Sequence, residues 1–521
     1  MPKGPVVLCI LDGVGWGRRD EGDAVFLANT PNLDRLSRSH PWTLLAAHGT
    51  AVGMPSDGDM GNSEVGHNAM GAGRVFDQGA KLVQNAVADG SIWRSAAWAR
   101  AVQGETLHLI GLVSDGNVHS HVDHLSAMIK RASAEGVKRL RVHVLTDGRD
   151  VSARSALEYI VPLEILLTSC DGDFAVGSGG GRMHITMDRY EADWPMVQRG
   201  WQVHVEGNGR RFQSAEEAIR TMYAEDTEVD DQYLPAFVVG DYDGMVDGDA
   251  AILFNFRGDR AVELCQAFDD PDFDAFKKGN NPKVFFAGMM QYDGDLKIPE
   301  QFLVQPPVIT NTVSKNLADA GIRSFAVSET QKFGHVTYFF NGNRGEQPQS
   351  ETWTELASLT TPFDETPQMS AAEVTERAME AIGSSQYDHI RLNIANGDMV
   401  GHTGRLAPTI AAVESVDSAV GQLMVAVEEA GGVMLVTADH GNADQMFGLN
   451  KATGGYTDAP HTSHSLNPVP VWVFDPKHHW QLSAESGPAV TGGIAQIGGT
   501  LLHLHGLSVP DEYLPSLLRQ T

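Results

Sequence analysis

The sequence predicts an α/β protein built on a mainly parallel sheet, with a second α/β domain inserted into the first. Three strand-like stretches, at residues 6–11, 389–395 and 433–438, each end at a turn that contains an aspartate, and the first is a continuous apolar run. Such runs are typical of strands that are buried on both faces of a parallel sheet. Between the last two, residues 408–430 have apolar side chains at helical spacing, which completes a strand–helix–strand unit.

The middle of the chain has its own alternation of strands and helices. Its predicted strands are residues 106–112, 140–145, 174–176, 250–254 and 284–286, and its predicted helices are residues 123–135 and 153–167. The stretch 71–74 leads into this region, and the segment 305–307, with its two prolines, is a rigid connector at its end. We therefore predict one discontinuous domain formed by residues 1–79 and 309–521, and an inserted domain at 80–308.

The composition is that of a globular and strongly acidic protein. Of 521 residues, 42% are hydrophobic and 20% are charged, and 67 acidic residues outnumber 38 basic ones, which gives a net charge of −29. This charge argues against general nucleic-acid binding and against binding to anionic membranes. An anionic small substrate would need a local cluster of arginines to overcome the overall field.

The cysteines and the N-terminus indicate a reducing compartment. Cys9, Cys170 and Cys265 lie far apart and form no Cys-x-x-Cys pair, so we expect neither a disulfide framework nor a thiolate zinc site. The first apolar run is too short for a signal peptide, and no run approaches the ~18 apolar residues of a membrane span. We expect a cytoplasmic protein.

The aspartates at the strand ends belong to a larger set of possible metal ligands. Because ligands of open parallel sheets bind at the carboxyl ends of strands, we expect these side chains to lie close together. The set is Asp12, Asp398, His402, Asp439, His440 and His464. Taken singly, each histidine is better explained as a core or loop residue. Together, oxygen and imidazole groups without a thiolate suit Mn²⁺ or Zn²⁺ better than Mg²⁺.

Ser63 lies between a glycine turn and a predicted helix. A hydroxyl at a helix N-terminus is well placed to meet a phosphate. The alternative is a plain N-cap serine with Glu64 in the first helical turn. A metal ion beside Ser63 would make its hydroxyl a nucleophile without a catalytic base.

A set of arginines in the middle of the chain follows predicted strands or glycine-rich loops: Arg149, Arg182, Arg189, Arg257 and Arg260. Forked guanidinium groups hold carboxylates and phosphates through two hydrogen bonds, so these residues could form the cluster that an anionic substrate requires. The alternative is scattered surface arginines that pair with Asp150, Asp188 and Asp259.

A series of motifs gives a specific resemblance over nearly the whole chain. The motifs are LDG at 11–13, GNSEVGH at 61–67, VHSH at 118–121, DGRD at 147–150, NFR at 255–257, SET at 328–330, DMVGH at 398–402 and ADHGN at 438–442. In this order they resemble the cofactor-independent phosphoglycerate mutases of the alkaline phosphatase superfamily, and residues 181–183 look like the longer, plant-like branch. The resemblance implies an alkaline-phosphatase-like, doubly wound sheet with an inserted α/β domain. It implies a glycolytic enzyme that interconverts 3-phosphoglycerate and 2-phosphoglycerate without bisphosphoglycerate.

The same resemblance implies roles for individual residues. Two divalent metal ions are expected, with Mn²⁺ preferred and Mg²⁺, Co²⁺ or Zn²⁺ as alternatives. One ion would be held by Asp398, His402 and His464, and the other by Asp12, Ser63, Asp439 and His440. Ser63 would be the phosphorylated nucleophile, and Asp150 a catalytic proton carrier. The substrate-binding residues would be His119, Arg149, Asp150, Arg182, Arg189, Arg257, Arg260 and Lys332. The partner is a small phosphoglycerate, and we expect a monomer.

Three departures from the family pattern leave details open. Asn117 stands where the family usually has a second glycine, and Arg182 and Arg189 are one residue further apart than in the short bacterial form. His461 is an alternative to His464 as a ligand, although the Asn467-Pro468 spacing favours His464. Two other functions remain as alternatives: a metal-dependent phosphatase, phosphodiesterase or other phosphomutase of the same superfamily, and an inactive protein that binds metal and phosphate.

Overall fold

The computed structural model describes residues 2–188, 193–292, 297–305, 309–450, 453 and 455–520. The chain divides into a discontinuous unit, Met1–Gln78 with Val308–Thr521, and an inserted unit, Gly79–Pro307. Arg189 and the prolines of the predicted connector, Pro306 and Pro307, lie outside the described residues.

In the discontinuous unit, the described residues form an eight-stranded, mainly parallel sheet. In spatial order its strands are Glu351–Leu356, Ser324–Glu329, His389–Ile394, Val6–Leu11, Val433–Thr437, Val469–Phe474, Trp42–Ala46 and Val490–Gly493. Only Val469–Phe474 runs antiparallel to its neighbours within this sheet of described residues. The N-terminal strand is buried along its whole length and pairs in parallel with His389–Ile394 on one side and Val433–Thr437 on the other. The first strand of the chain therefore joins strands that come almost 400 residues later, as the apolar runs predict.

Helices cover this sheet, and two small antiparallel pairs complete the unit. The helices are Ala24–Leu27, Pro31–Ser39, Ser63–Ala72, Val313–Asp319, Thr330–Gly334, Ala371–Gly383, Asn396–Gly401, Leu406–Ala430 and Gln496–Leu504, with shorter helical segments at Gly49–Val52 and His335–Phe339. The pairs are Phe447–Leu449 with Tyr456–Pro460, and Trp480–Leu482 with Leu518–Gln520.

Helix Leu406–Ala430 has 25 residues and would pass as a membrane span by length and composition. Half of its most apolar window is buried, however, and it packs against helices Ala371–Gly383 and Pro31–Ser39. Its Asp417 carboxylate accepts a hydrogen bond from the backbone N–H of Leu33 at 2.8 Å. These contacts identify it as a core helix of the discontinuous unit.

The inserted unit has a second sheet, which contains seven strands among the described residues. In spatial order they are Arg210–Phe212, Phe237–Val239, Asp173–Gly181, Arg139–Thr146, Leu107–Leu112, Ala250–Leu253 and Phe285–Gly288. The only antiparallel pairing in this part of the structure joins Phe237–Val239 to Asp173–Gly181. The helices are Gly79–Ala88, Ala96–Ala101, Val122–Ala134, Ala156–Ser169, Trp194–His204, Ala215–Glu225 and Val262–Asp269, with short helical turns at Ile92–Arg94 and Asp231–Tyr233.

The largest differences from the predicted boundaries in the inserted unit concern one strand and one helix. The strand predicted at 174–176 extends over Asp173–Gly181, so the glycines at 179–181 belong to the strand and not to a loop. At Gly179 a Cβ would lie 2.5 Å from Val144 Cγ2, so the close approach of the neighbouring strand requires glycine there. The helix predicted from residue 153 begins at Ala156.

Candidate active site

In the discontinuous unit, the chemically active side chains follow four neighbouring strands. These strands are Ser324–Glu329, His389–Ile394, Val6–Leu11 and Val433–Thr437. The residues beyond their carboxyl ends are Lys332, Asp398 with His402, Asp12, and Asp439 with His440, in the same order. The parallel pairing brings them to one edge of the sheet, where the charged and polar groups are nearly all buried.

Ser63 is the first residue of helix Ser63–Ala72, but it does not cap that helix. Asn62 is the N-cap, and its side chain accepts a hydrogen bond from the Val65 N–H at 3.0 Å. The interpretation of Ser63 as a plain capping serine is therefore wrong. Its hydroxyl Oγ lies 2.9 Å from His440 Nε2 and 3.3 Å from Asp12 Oδ1. The Ser63 hydroxyl is thus directed into the carboxylate and imidazole cluster.

Lys332 extends into the centre of this cluster. Its Nζ donates hydrogen bonds to Ser63 Oγ at 2.6 Å, Asp12 Oδ1 at 2.8 Å and Asp398 Oδ2 at 2.7 Å. Only 2% of the residue is exposed, so these charges interact with little screening by water.

A second group of ligand atoms surrounds Asp398. Its Oδ1 lies 3.0 Å from His402 Nε2 and 3.3 Å from His464 Nε2. His464 is oriented by its Nδ1, which lies 2.8 Å from the carbonyl oxygen of Gly61. His461 contacts the backbone oxygen of His464 instead, at 3.3 Å. The geometry therefore brings His464, and not His461, to the carboxylates.

The carboxylates and imidazoles shift each other's pKa values strongly. Burial alone would raise the pKa of Asp439, but the neighbouring His440 and His67 hold it well below its usual range. Burial likewise opposes ionisation of Asp398, but His402 and Lys332 lower its pKa. For His440, burial is outweighed by Asp439 and the other carboxylates, which raise its pKa to about 9. The cluster strongly attracts positive charge.

The donor atoms fit divalent cations. Among the described residues, two groups have donors within 4.8 Å of one another, namely Asp398 with His440 and His464, and Asp12 with Asp439 and His440. Three buried carboxylates, those of Asp12, Asp398 and Asp439, lie among these donors, and two of them contact the Lys332 ammonium. Asp439 Oδ2 is buried and has no hydrogen-bond partner among the described residues. Oxygen and imidazole donors without thiolate suit Mn²⁺, Co²⁺ or Zn²⁺.

Sequence interpretation missed three residues that support the cluster. Asn393 Nδ2 lies 2.6 Å from Asp12 Oδ2, and Asn442 Nδ2 lies 2.8 Å from Asp398 Oδ1. His67 is one helical turn beyond Ser63. Each lies within five residues of a predicted ligand in the sequence, and this closeness could have identified them.

In the inserted unit, polar residues also follow four neighbouring strands. The strands are Asp173–Gly181, Arg139–Thr146, Leu107–Leu112 and Ala250–Leu253. Beyond their ends come Arg182, then Arg149 with Asp150, then His119, and then Arg257 with Arg260. Parallel pairing therefore gathers the described members of the predicted substrate set that belong to the inserted unit at one edge of this sheet; Lys332 lies in the discontinuous unit.

The pKa of His119 shows that four of these arginines lie close to its ring. Burial lowers the pKa of His119, and the charges of Arg182, Arg257, Arg260 and Arg149 lower it further, to well below the usual value. The ring is only 3% exposed. The inserted unit therefore contains a largely buried cluster of arginines within an acidic chain.

Arg182 and Arg257 do pair with aspartates, as the alternative interpretation proposes, but these two arginines are buried and do not lie on the surface. Arg182 Nη1 lies 2.7 Å from Asp147 Oδ1 and also contacts Asp150 Oδ2. Arg257 Nε lies 2.9 Å from Asp259 Oδ1. Scattered surface arginines are therefore not what the described residues show.

The backbone at Asn117 explains how this loop forms without the second glycine that the family usually has there. Its φ is +57°, in the left-handed region, and asparagine tolerates that region better than most non-glycine residues. The neighbouring Gly116 packs so closely that a Cβ there would lie 2.9 Å from Asp150 Cβ. The loop before His119 thus keeps a left-handed turn without a second glycine.

Comparisons with known proteins agree with this geometry. The model of the Metalloenzyme superfamily matches residues 4–509. A probable 2,3-bisphosphoglycerate-independent phosphoglycerate mutase from Leptospira interrogans is 49% identical, with 99% of this chain and 97% of that protein covered. The 2,3-bisphosphoglycerate-independent phosphoglycerate mutase of Zea mays is 45% identical, with 99% and 96% covered. The crystal structure of Leishmania mexicana phosphoglycerate mutase at low cobalt concentration superposes with a TM-score of 0.95 at 46% identity, covering 100% of this chain and 98% of that one. The resemblance and the fold class predicted from the sequence are thereby confirmed.

Proposed function

Because the chain belongs to the 2,3-bisphosphoglycerate-independent phosphoglycerate mutases, within the metalloenzyme superfamily, we propose that it exchanges phosphate through a phosphoserine at Ser63. The enzyme interconverts 3-phosphoglycerate and 2-phosphoglycerate. The observation that carries the proposal is the buried Ser63 Oγ, which lies within 3.3 Å of Asp12, His440 and Lys332.

The enzyme uses divalent metal, and we assign the ligands as two sets. One set is Asp398, His402 and His464, in which both imidazoles lie beside Asp398 Oδ1. The other is Asp12, Ser63, Asp439 and His440, in which the serine Oγ lies beside His440 and Asp12. Bound divalent cations would stabilise the charge on the attacking and leaving oxygens. We expect Mn²⁺ in both sites, since its preference for mixed oxygen and imidazole ligands matches these donors.

Ser63 acts as the nucleophile in the first half of the reaction. Its hydroxyl gives up its proton as Oγ forms a bond to the phosphorus of 3-phosphoglycerate, and the bond between phosphorus and the C3 oxygen breaks. The released oxygen takes a proton and becomes the hydroxyl of glycerate. In the second half, the C2 hydroxyl loses a proton and attacks the same phosphorus, the bond to Ser63 Oγ breaks, and Oγ regains a proton.

Residues of the inserted unit bind the glycerate part of the substrate. Forked guanidinium groups of Arg257 and Arg260 suit a carboxylate, and Asp150 is a candidate carrier for the protons that the two hydroxyls gain and lose. His119, Arg149, Arg182 and Arg189 complete the set that we assign to substrate. Lys332 contributes a positive charge beside Ser63, where the phosphate would bind.

The experiment that tests this proposal is trapping of the intermediate. The metal-loaded enzyme is mixed with 3-phosphoglycerate carrying a labelled phosphate, quenched with a denaturant at slightly alkaline pH, where both phosphoserine and phosphohistidine survive, and digested. Label recovered on the peptide that contains Ser63 supports the proposal. Label on a histidine, or enzyme that transfers phosphate without becoming labelled, contradicts it. Ser63→Ala should accept no label and should have neither mutase nor phosphatase activity.

We further propose that the enzyme works as a monomer in the cytoplasm. The three cysteines are free, which fits a reducing compartment. The net charge of −29 favours solubility over self-association. Sedimentation of the metal-loaded enzyme at several concentrations tests the monomer.

A further inference from the structure

A short hydrogen-bonded chain lies behind the nucleophile and joins two of its neighbours. His67 follows Ser63 by one helical turn, and its Nδ1 lies 2.7 Å from the Ser63 carbonyl oxygen. On the other side of the ring, His67 Nε2 lies 3.2 Å from Asn393 Nδ2. The same Asn393 nitrogen lies 2.6 Å from Asp12 Oδ2. All three side chains are fully buried.

For a neutral His67 ring, one arrangement of hydrogens satisfies these contacts. A carbonyl oxygen can only accept, so His67 Nδ1 must carry the hydrogen, and its Nε2 then offers a lone pair. The two hydrogens of the Asn393 amide therefore point to Asp12 Oδ2 and to His67 Nε2. Reversing the amide would put its oxygen against the Asp12 carboxylate, which is repulsive. Asn393 thus selects one tautomer of His67.

The chain also determines which oxygen of Asp12 faces the cluster. Asn393 engages Oδ2, whereas Oδ1 lies 2.8 Å from Lys332 Nζ and 3.3 Å from Ser63 Oγ. The sheet register brings the two residues together, because Asn393 pairs with Ile10, two residues before Asp12.

We propose that Asn393 and His67 are positioning residues that hold the Asp12 carboxylate and the Ser63 backbone in the geometry that binds a divalent cation. This inference rests on the proposed function, because Asp12 and Ser63 are ligands there. His67 Nδ1 also lies 3.4 Å from Asp439 Oδ2, so the same ring borders a third ligand of that set. Neither residue touches substrate in this proposal; both act by orienting ligands.

The test measures cation binding and not activity. Metal-free enzyme is titrated with Co²⁺, and both the dissociation constant and the visible absorption spectrum are recorded without substrate. Asn393→Leu keeps the size of the side chain but removes both donors. We expect its Co²⁺ affinity to fall by about 10–100-fold, with an altered spectrum. Asn32→Leu is the matched control, because Asn32 Nδ2 donates to the remote Asp417 Oδ2 at 2.9 Å. It should bind Co²⁺ as the wild type does.

A pair of His67 variants separates positioning from folding. His67→Asn can keep an N–H near the Ser63 carbonyl oxygen, whereas His67→Ala cannot, so the asparagine variant should recover part of the affinity that the alanine variant loses. Wild-type affinity and spectrum in folded Asn393→Leu, or in both His67 variants, would overturn the inference. Wild-type enzyme that binds no Co²⁺ would instead overturn the metal assignment of the proposed function.

Discussion

Lys332 Nζ lies 2.6 Å from Ser63 Oγ, in a position between the carboxylates of Asp12 and Asp398. An ammonium can only donate, so the serine oxygen accepts in this contact, and negative charge that develops on it is stabilised. Lys332 is therefore next to the proposed nucleophile itself, where it affects the oxygen as well as any phosphate bound there.

Replacing this ammonium by an apolar chain should separate catalysis from metal binding. In Lys332→Met we expect kcat to fall by about 100-fold or more, because a buried charge that stabilises the reacting oxygen is lost. Co²⁺ affinity should not fall, since Asp12 and Asp398 lose a competing cation. Steady-state kinetics and a Co²⁺ titration measure the two effects. Lys315→Met, at an exposed lysine paired with Asp319, is the control. Loss of Co²⁺ binding in Lys332→Met would show that Lys332 is needed only to assemble the site.

Removal of metal should abolish activity and lower the unfolding temperature. Without bound cations, the buried carboxylates of Asp12, Asp398 and Asp439 lie close together, and their charge is balanced by Lys332 and by the proton that His440 holds. Cations that bind the folded state alone stabilise it by about 2.7 kcal/mol for each site at 100 times its dissociation constant. Calorimetry with chelator and then with Mn²⁺ measures the shift. Full activity in excess chelator would contradict the metal assignment.

The ends of apolar strands were the most predictable part of the site. Val6–Leu11 is buried on both faces, and a strand of this kind consists of consecutive apolar residues. The sequence pattern alone therefore predicts both the strand and the position of Asp12 at its end. The strand before Lys332 is different. Ser324–Glu329 includes serines and a glutamate that are buried through hydrogen bonds, for example Ser328 Oγ to the Asn393 carbonyl oxygen at 3.0 Å. No apolar pattern could reveal it.

Other features depend on tertiary contacts that local patterns do not contain. Asn62 and Ser63 are both good capping residues, and only the packing of helix Ser63–Ala72 decides that Asn62 caps it. Gly66 allows that packing, because a Cβ there would lie 2.6 Å from the Asp439 carbonyl oxygen. Likewise, the burial of Arg182 requires Asp147 and Asp150 on a neighbouring strand end.

The inserted unit contains a buried row of histidines that should make stability depend on pH. His108 Nδ1 lies 2.9 Å from His143 Nε2, and Ser178 Oγ links His143 to His204. Burial lowers the pKa of His204 to about 3. The unfolded chain titrates near ~6.5, so it binds more protons than the native state below that pH. The free energy of unfolding should therefore fall as the pH drops from 6.5 towards 3.

His204→Gln should reduce by one the number of protons taken up on unfolding at low pH, and it leaves a polar side chain near Ser178. We expect the slope of unfolding free energy against pH below 6 to decrease by up to about 1.4 kcal/mol per pH unit. Urea denaturation at several pH values, with chelator in every sample to exclude metal binding, compares the variant with the wild type. An unchanged slope would mean that His204 is not the group that takes up the proton.

Weaker binding of the glycerate intermediate should convert part of the mutase activity into hydrolysis. Once Ser63 is phosphorylated, water at about 55 M competes with glycerate for the phosphorus, so transfer requires glycerate held at high effective molarity. Arg257 belongs to the cluster of arginines around His119, and Arg257→Ala should weaken this hold without touching Ser63. We expect the ratio of inorganic phosphate to 2-phosphoglycerate to rise, with both products measured in one reaction. Arg139→Ala, at an exposed arginine paired with Asp173, should leave the ratio unchanged. If both products fall in equal proportion in Arg257→Ala, the arginine serves only initial binding, and retention of glycerate must depend on other residues.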